Sequence, residues 1–517
     1  MTGKAELRRW ALAGAFLLPV VALYTAHYWN SLRMPGWVAT GFIHNDMPLY
    51  VANAREYLDR PGLALGYSNA YSIDPANPRI YFQPQTLLFA AVWGATGADP
   101  GLLFLLWGLL AGLLCVRVAI ALYEDLCGPE ARWGLPVFLW GGGVFALAEV
   151  AERWWSGTSL IPEFRRDPSA GWWFLNLGRN LVFPTEAYYH FLSLGCILLL
   201  VRRRWAAAVA VLFLLSISHP FTGVQFGLIT LAWLILERYG CRNADVPAGS
   251  LVGAGACLVL HLSYYLIFLP QFPEHASVMQ QFQAPWLLRA DAMWLAYTPV
   301  ALLAAWQWRR WFDTPARRLL VVWLVVSFGL ANHEWFIEPH QPTHFTRGYI
   351  WMPLFLLGAP TLIAIFQRIA TRSRALAVAL VLVWVSDNLV WFWVNSRQPT
   401  GVYVRADALA VLKILQQLPQ PQNDWILFTN DSYLAFLSAT YSGVRSWYSH
   451  YANTPYAHER YQERQAFFQH GRRPAILPRG RTVIVEAGPE DRPPAASPLA
   501  RISPQMQQTG QYLIVFY

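Results

Sequence analysis

Three polar residues lie shortly after the first apolar segment of the chain. Residues 10–29 form an apolar run, and His44, Asn45 and Asp46 follow it at the start of a mildly amphipathic segment. A carboxylate near a membrane is costly and needs a reason. Asp46 can act as a general base towards a hydroxyl group. It can equally cap the helix whose second residue is Pro48, so spacing alone leaves both roles open.

Further candidates for substrate binding lie near the ends of later apolar segments. Glu152 and Arg153 follow such a segment and could contact an acceptor or a phosphate, with a surface ion pair as the simpler interpretation. His219 and Pro220 follow the end of another apolar segment. His219 can donate to a phosphate, or it can cap the carbonyls of the preceding helix.

Residues 333–349 are dense in groups that bind ligands. They hold three histidines, two glutamates and one arginine, but the spacing matches no compact metal motif, so no metal ligand is predicted. Arg347 is the strongest phosphate-binding candidate because arginine contacts phosphate through two N–H groups. His344 is a neighbouring candidate. The alternative for Arg347 is an arginine whose charged end reaches the membrane interface.

Composition sets the class of protein that must position these residues. The 517 residues are 55% hydrophobic and 13% charged, with 26 tryptophans and a mean hydropathy of +0.29. Soluble domains carry about 25% charged residues. The sequence therefore predicts a polytopic α-helical membrane protein.

About eleven apolar segments are predicted to span the membrane. Several are shorter than the roughly 20 residues that a span prefers, and an odd number would put the two termini on opposite sides. The predicted spans are 10–29, 101–123, 134–149, 186–201, 205–218, 221–236, 249–269, 291–307, 319–333, 348–366 and 375–396.

Arginines indicate the orientation. Short connections on one side carry clusters such as 202–204, 309–310 and 317–318, whereas the longer opposite loops carry fewer. By the positive-inside rule the N-terminus is cytoplasmic, and loops 30–84 and 150–185 and residues 400–517 face outward. The net charge of +9 is thus a topology signal, and no nucleic-acid partner is predicted. The first segment lacks a small-residue cleavage site, which favours a retained anchor.

Two regions are expected to carry structure outside the spans. In loop 30–84, apolar residues from Met47 to Leu58 recur at helical spacing, which predicts a helix on the membrane surface, and Thr86–Thr96 predicts a short second helix. Residues 400–517 alternate between helical patterns and short apolar runs, which is typical of a small α/β domain. The predicted domains are therefore 1–399 and 400–517.

The arrangement resembles the GT-C superfamily of integral membrane glycosyltransferases, which includes protein O-mannosyltransferases and the aminoarabinose transferase of lipid A. The resemblance covers roughly residues 1–400 and depends on an acidic residue shortly after the first span, followed by two surface helices. Residues 400–517 resemble the C-terminal domain of a largely uncharacterised bacterial branch. The stretches that carry the likeness are 44–46, 81–84, 443–450 and 454–455. Many members have a paired acidic motif in the first loop, where this chain has Asn45 before a single Asp46.

The resemblance implies a hexosyl- or pentosyltransferase of the bacterial inner membrane, acting on the cell envelope. Its donor would be a sugar linked to polyprenyl phosphate, and its acceptor a membrane lipid, a glycan or a protein. Asp46 would be the base, and His44, Glu152, Arg153, His219, His344 and Arg347 would bind substrate. No cofactor is predicted, with a divalent metal as the alternative.

Other classes of protein stay open or are disfavoured. Nucleotide-binding and hydrolase motifs are absent in suitable contexts. A flippase for lipid-linked saccharides would show internal repeats, which the sequence lacks. A non-catalytic subunit of an envelope polysaccharide assembly is a further alternative. A polysaccharide polymerase or ligase would be expected to have its main external loop late in the chain.

Overall fold

The protein is described from a computed structural model. It covers residues 3–59, 64–157, 177–281, 286–397, 399–472, 474, 477–488, 497, 499, 502 and 505–517. Most of the predicted loop 150–185 lies outside these residues, as do the side chains of Glu149 and Arg153.

Helices dominate the chain. They are α1 Gly3–Ser31, α2 Met47–Asp59, α3 Pro84–Thr96, α4 Pro100–Cys127, α5 Gly134–Trp140, α6 Phe145–Ser156, α7 Leu177–Asn180, α8 Pro184–Val201, α9 Trp205–Ser216, α10 Pro220–Ile235, α11 Ala248–Leu262, α12 Pro273–Gln281, α13 Ala290–Trp306, α14 Pro315–Ala331, α15 Trp351–Arg372, α16 Arg374–Arg397, α17 Ala406–Gln416, α18 Ser432–Tyr441 and α19 Ala457–His470. The strands are β1 Trp37–Ala39, β2 Tyr403–Arg405, β3 Ile426–Thr429, β4 Arg445–Ser446, β5 Thr482–Ala487, β6 Gln507–Thr509 and β7 Tyr512–Phe516.

Within the described residues, seven helices are long and apolar enough to cross a membrane, and α5 with α6 can form an eighth, bent span. The seven are α1, α4, α8, α10, α11, α15 and α16, where α10 and α11 are extended by π-helical turns at Leu236–Gly240 and Ser263–Phe268. The remaining predicted spans coincide with the shorter helices α9, α13 and α14. The multi-pass helical class is confirmed, whereas eleven as the number of spans stays a prediction.

The predicted span 134–149 is interrupted. Helices α5 and α6 meet at 78°, because the chain between them is extended around Gly141–Gly143. A Cβ on Gly143 would lie 1.9 Å from the carbonyl oxygen of Leu295, so only glycine fits there. Asp387 of α16 accepts hydrogen bonds from the backbone N–H groups of Phe145 at 3.2 Å and Ala146 at 2.6 Å. Its buried carboxylate thereby caps the positive end of α6.

Contacts between residues divide the chain into two compact units. Unit 1 consists of Met1–Thr25, Trp107–Tyr264 and Ala284–Gln398, and unit 2 of Ala26–Leu106, Tyr265–Gln283 and Pro399–Tyr517. In unit 1, α10 packs against α9, α11 and α14, while α15 packs against α13, α14 and α16.

Unit 2 contains a five-stranded sheet in the order β4-β3-β5-β7-β6. Strands β4, β3 and β5 are parallel, and β7 and β6 continue the sheet in antiparallel register. Strands β3 and β5 are mostly apolar and buried, as expected for strands that are covered on both faces, whereas β4 consists of the buried polar pair Arg445–Ser446. Ile426, Phe428, Trp447, Phe467 and Ile484 belong to the core around this sheet. Strands β1 and β2 form a separate antiparallel pair.

Helix α2 is also part of unit 2. On the predicted apolar face, Met47, Val51 and Ala54 are buried and Leu58 is 42% exposed. The helix packs against both α3 and α18. Ala52 and Tyr71 share one apolar cluster with Phe436 of α18. The amphipathic pattern predicted the helix correctly, and its place on the membrane surface stays a prediction.

Candidate active site

Asp46 is the last residue before helix α2. The chain reaches it through Gly41, whose φ of +84° and close approach to the backbone of Gly101 require glycine. A turn closed by the bond from Met47 N–H to the carbonyl of His44, at 3.1 Å, then starts the helix. The side chains of His44 and Asp46 are 43% and 39% exposed. The carboxylate is therefore fixed on a short turn and accessible to solvent.

The partners of Asp46 are histidines. Its Oδ1 lies 3.2 Å from Nε2 of His450, and its Oδ2 lies 3.6 Å from Nδ1 of His44. Within the described residues, the structure records no hydrogen bond from an N–H of α2 to this carboxylate. The capping role is not observed, and the carboxylate is directed to His450.

His450 is held on several sides. Its Nδ1 accepts from the backbone N–H of Ala452 at 3.1 Å and lies 2.9 Å from the amide nitrogen of Asn453. Tyr71 and Tyr451 stack with its ring, at centroid distances of 6.3 and 4.9 Å. The imidazole is 8% exposed, so its orientation towards Asp46 is well defined. We call Asp46, His44, His450 and Asn453 the Asp46 centre.

Electrostatics keep Asp46 in its charged form. Burial on its own would raise the pKa of Asp46, but the hydrogen bond from His450 and the nearby His44 outweigh this, so the pKa lies below its ordinary value. Burial lowers the pKa of His44, with a smaller opposing effect from Asp46. At neutral pH the centre therefore presents an ionised carboxylate beside an uncharged His44.

A second group of polar side chains lies within unit 1. Arg347 donates through Nη1 to Oε1 of Glu186 and through Nη2 to Nδ1 of His344. Its Nη1 also lies 3.4 Å from Nε2 of His219. The side chains of Arg347 and Glu186 are only 4% and 6% exposed. We call Glu186, His190, His219, His344 and Arg347 the Arg347 centre.

The backbone of the Arg347 centre is unusual. Arg347 has a φ of +28°, a left-handed conformation that is costly for a residue with a side chain. His190, one turn after Glu186 on α8, contacts the carbonyl oxygen of Arg347 through Nε2 at 2.8 Å. A strained residue at the centre of a buried polar cluster is typical of a functional site.

His219 has a structural role as well as a place in the centre. It is the N-cap of α10, where its Nδ1 accepts from the backbone N–H of Thr222 at 3.1 Å. It therefore caps the following helix, not the preceding one as the sequence had suggested. Because Nδ1 accepts, the ring proton is on Nε2, which is the atom that faces Arg347. His219 thus presents an N–H group beside the guanidinium.

His344 and His219 are uncharged. Burial, together with the charge of Arg347, lowers the pKa of both well below the ordinary value. Phe221 covers His344, with the two rings 4.2 Å apart and almost parallel. The charge of the Arg347 centre is thus carried by the Glu186–Arg347 pair.

The structure brings some of the predicted site residues together. Asp46 and His44 share the centre in unit 2, and His219, His344 and Arg347 share the centre in unit 1. Glu152 is exposed on α6 and is not in the Arg347 centre. Arg153 lies on the same helix, but its side chain is outside the described residues. The described ranges hold no group of three His, Cys, Asp or Glu residues arranged for a metal ion.

Sequence reasoning missed two partners. His450 was considered only as part of a family-like stretch, and it lies 404 residues after Asp46. Glu186 is the first residue of the predicted span 186–201, and its pairing with Arg347 spans 161 residues. No local pattern marks either contact. The one available signal was the polar character of Glu186 within a predicted span.

The fold is similar to that of a solved glycosyltransferase structure. This is the archaeal oligosaccharyltransferase AglB from Archaeoglobus fulgidus, in complex with an inhibitory peptide and a dolichol-phosphate. The two share 10% sequence identity over 93% of this chain and 69% of AglB, with a TM-score of 0.54. No protein-family model and no curated protein sequence matches the chain. The comparison shows a likeness of fold and agrees with the predicted multi-pass helical architecture.

Proposed function

We propose that the protein is a GT-C-type glycosyltransferase that moves a sugar from a polyprenyl-phosphate donor to a hydroxyl group of an envelope lipid, glycan or protein. The observation that carries the proposal is the Asp46 carboxylate, partly exposed just after the first span and directed by His450. The fold supports it, since the similar AglB structure contains a dolichol-phosphate.

The chemistry assigns Asp46 the role of general base. The acceptor oxygen attacks the anomeric carbon of the sugar, and its proton passes to the Asp46 carboxylate. The bond between that carbon and the phosphate oxygen breaks, and the phosphate leaves with the electron pair. An ionised carboxylate at neutral pH is the form that this step needs.

The Arg347 centre supplies a candidate site for an anion. The N–H on Nε2 of His219 and the Nη1 group of Arg347 lie 3.4 Å apart, and both are hydrogen-bond donors. Converging donors of this kind suit a phosphate oxygen, particularly where burial strengthens the charge interaction. Glu186 compensates the buried arginine, so the proposed phosphate would compete with a carboxylate.

A transfer assay on the purified protein tests the proposal. Polyprenyl-phosphate sugars are supplied as donors, and transfer is compared between the wild type and Asp46→Asn. An asparagine oxygen can still accept from His450, so Asp46→Asn removes proton acceptance and preserves the hydrogen bond. We expect Asp46→Asn to lower kcat by about a hundredfold or more.

A matched control is available in the same loop. Asp74 is exposed, and its Oδ1 accepts from the N–H of Ala76, a bond that asparagine also makes. Asp74→Asn should keep wild-type activity. Full activity of Asp46→Asn would reject the base assignment, and the absence of transfer from every polyprenyl-phosphate sugar would reject the proposed function.

A further inference from the structure

We propose that His450 is a positioning residue for Asp46, holding the carboxylate through the N–H on Nε2. The inference rests on the proposed function in that it gives Asp46 its catalytic role. It assigns a role in the reaction to residues of the C-terminal α/β region, which the resemblance to a glycosyltransferase family had left without one.

The neighbours of His450 determine which of its ring nitrogens carries the proton. A backbone N–H can only donate, and that of Ala452 points at Nδ1 of His450 at 3.1 Å. Nδ1 must therefore carry the lone pair, and the ring proton is on Nε2. This conclusion does not depend on how the amide of Asn453 is oriented, although its nitrogen lies 2.9 Å from the same atom.

The proton on Nε2 of His450 points towards Asp46. Nε2 lies 3.2 Å from Oδ1 of Asp46, so His450 donates to the carboxylate. This hydrogen bond holds Oδ1 against His450 and leaves Oδ2 on the side of His44. Oδ2 is then the oxygen that can accept a proton from an acceptor hydroxyl group.

The residues around the His450 ring hold it firmly. Phe436 packs against the ring of His450 with a centroid distance of 5.4 Å, in addition to the stacked tyrosines. The carbonyl of His450 accepts from the N–H of Thr454 at 3.0 Å, which closes a turn around the ring. A side chain with a ring held on several sides and a fixed tautomer is suited to orient another group.

The titratable groups that face Asp46 are His44, His450, Tyr71 and Tyr451. His450 gives the main stabilising contact, since its hydrogen bond contributes most to the low pKa of Asp46 after the opposing effect of burial. A carboxylate with a lowered pKa stays ionised to a lower pH. Loss of the hydrogen bond should therefore move the acid limb of the pH–rate profile to higher pH.

Two substitutions separate the hydrogen bond from the packing. His450→Phe keeps a ring between the tyrosines but removes the donor, whereas His450→Gln keeps an N–H donor but removes the ring. We expect His450→Phe to lower kcat about ten- to a hundredfold, as for the loss of a hydrogen bond to a charged group. Its KM for the donor should change little. The acid limb of its pH–rate profile should shift to higher pH by about one unit. His450→Gln should stay within about threefold of wild type, since it retains a charge-assisted hydrogen bond.

Two results would overturn the proposal. One is a His450→Phe enzyme with wild-type kcat and an unmoved acid limb. The other is equal loss in both variants with an unmoved acid limb, which would mean that only packing matters. Asp46→Asn, measured in parallel, separates the base role of Asp46 from the positioning role of His450. If it is inactive while His450→Phe is normal, only the role of His450 fails, and if it is fully active, the base assignment fails.

A measurement without activity covers variants that do not fold. Nitrogen NMR of the wild-type protein labelled in its histidines distinguishes the two ring tautomers, and the His450 signals are assigned by their loss in either variant or by their shift in Asp46→Asn. A proton on Nε2 of His450 supports the proposal. A proton on Nδ1 alone contradicts it, because the ring could not then donate to Asp46.

Discussion

At the scale of single residues, the Glu186–Arg347 pair shows how a buried cation is kept in an apolar surrounding. Both side chains are almost fully buried, and removing one partner of such a pair leaves a charge with little compensation. A simple arginine variant therefore confounds binding with stability. The two effects can be separated by changing both residues.

Arg347→Met should destabilise the protein by about 3 kcal/mol, because it removes the cation beside Glu186. The double variant Glu186→Gln/Arg347→Met should recover most of that loss, as seen in thermal unfolding in detergent. If Arg347 binds the donor phosphate, both variants should raise the KM for the donor at least tenfold, roughly 1.4 kcal/mol of binding. Recovery of normal donor binding in the double variant would argue against a phosphate role.

The sequence predicted several residues of the two centres but not the contacts that these residues make. Asp46 was found from its position after the first span, and His219, His344 and Arg347 from their density near span ends. The choice between base and cap at Asp46 could not be made, because it depends on His450, 404 residues away. Hydrogen bonds over such separations are properties of the tertiary structure, and one sequence does not encode them locally.

At the scale of elements, a second buried pair links loop 30–84 to the sheet of unit 2. Arg445 of β4 contacts Glu56 of α2 at 3.1 Å, with side chains 1% and 6% exposed. Arg445 also donates to the carbonyls of Ser72 and Asp74. These bonds tie α2 and its following loop to the strand that leads to His450.

Arg445→Met should lower the free energy of unfolding by about 3 kcal/mol, because Glu56 loses its buried cation. Arg289 provides the matched control, since its pair with Asp291 is exposed, at 69% and 58%. Arg289→Met should change stability by less than about 0.5 kcal/mol. Thermal unfolding of both variants checks this, and equal effects would contradict the structural role assigned to Arg445.

Helices were easier to predict than their interruptions. All eleven predicted spans coincide with helical segments, since about 20 apolar residues leave few alternatives. The bend between α5 and α6 was missed, and so was the packing of α2 on α18. Both features depend on partners distant in sequence, namely Asp387 for the bend and Phe436 for α2.

At the scale of the whole molecule, the number of spans decides the side of the C-terminal region. The arginine distribution predicts a cytoplasmic N-terminus. With that orientation, eleven spans would place residues 400–517 outside, whereas eight spans would place them in the cytoplasm. The helices α9, α13 and α14 make the difference. Each is shorter than the usual length of a span.

Labelling of intact cells with a membrane-impermeant maleimide tests the orientation. Glu459 is exposed on α19, and Arg204 is exposed between α8 and α9. We expect Glu459→Cys to be labelled and Arg204→Cys to be protected until the membrane is opened. The native Cys241 is exposed in the connection between the predicted spans 221–236 and 249–269, which eleven spans and a cytoplasmic N-terminus place in the cytoplasm, and it is the internal control. Protection of Glu459→Cys would contradict the outward placement.

The cap that Asp387 provides has a consequence for how the protein is made. Asp387 leaves the ribosome 242 residues after Phe145, from whose N–H group it accepts a hydrogen bond. While the chain is being synthesised, the first amides of α6 must therefore do without this acceptor. The bent segment can reach its final form only after α16 has entered the membrane. Biogenesis thus includes a step that joins a late helix to an early one, and a chain truncated before α16 should leave the start of α6 without its cap.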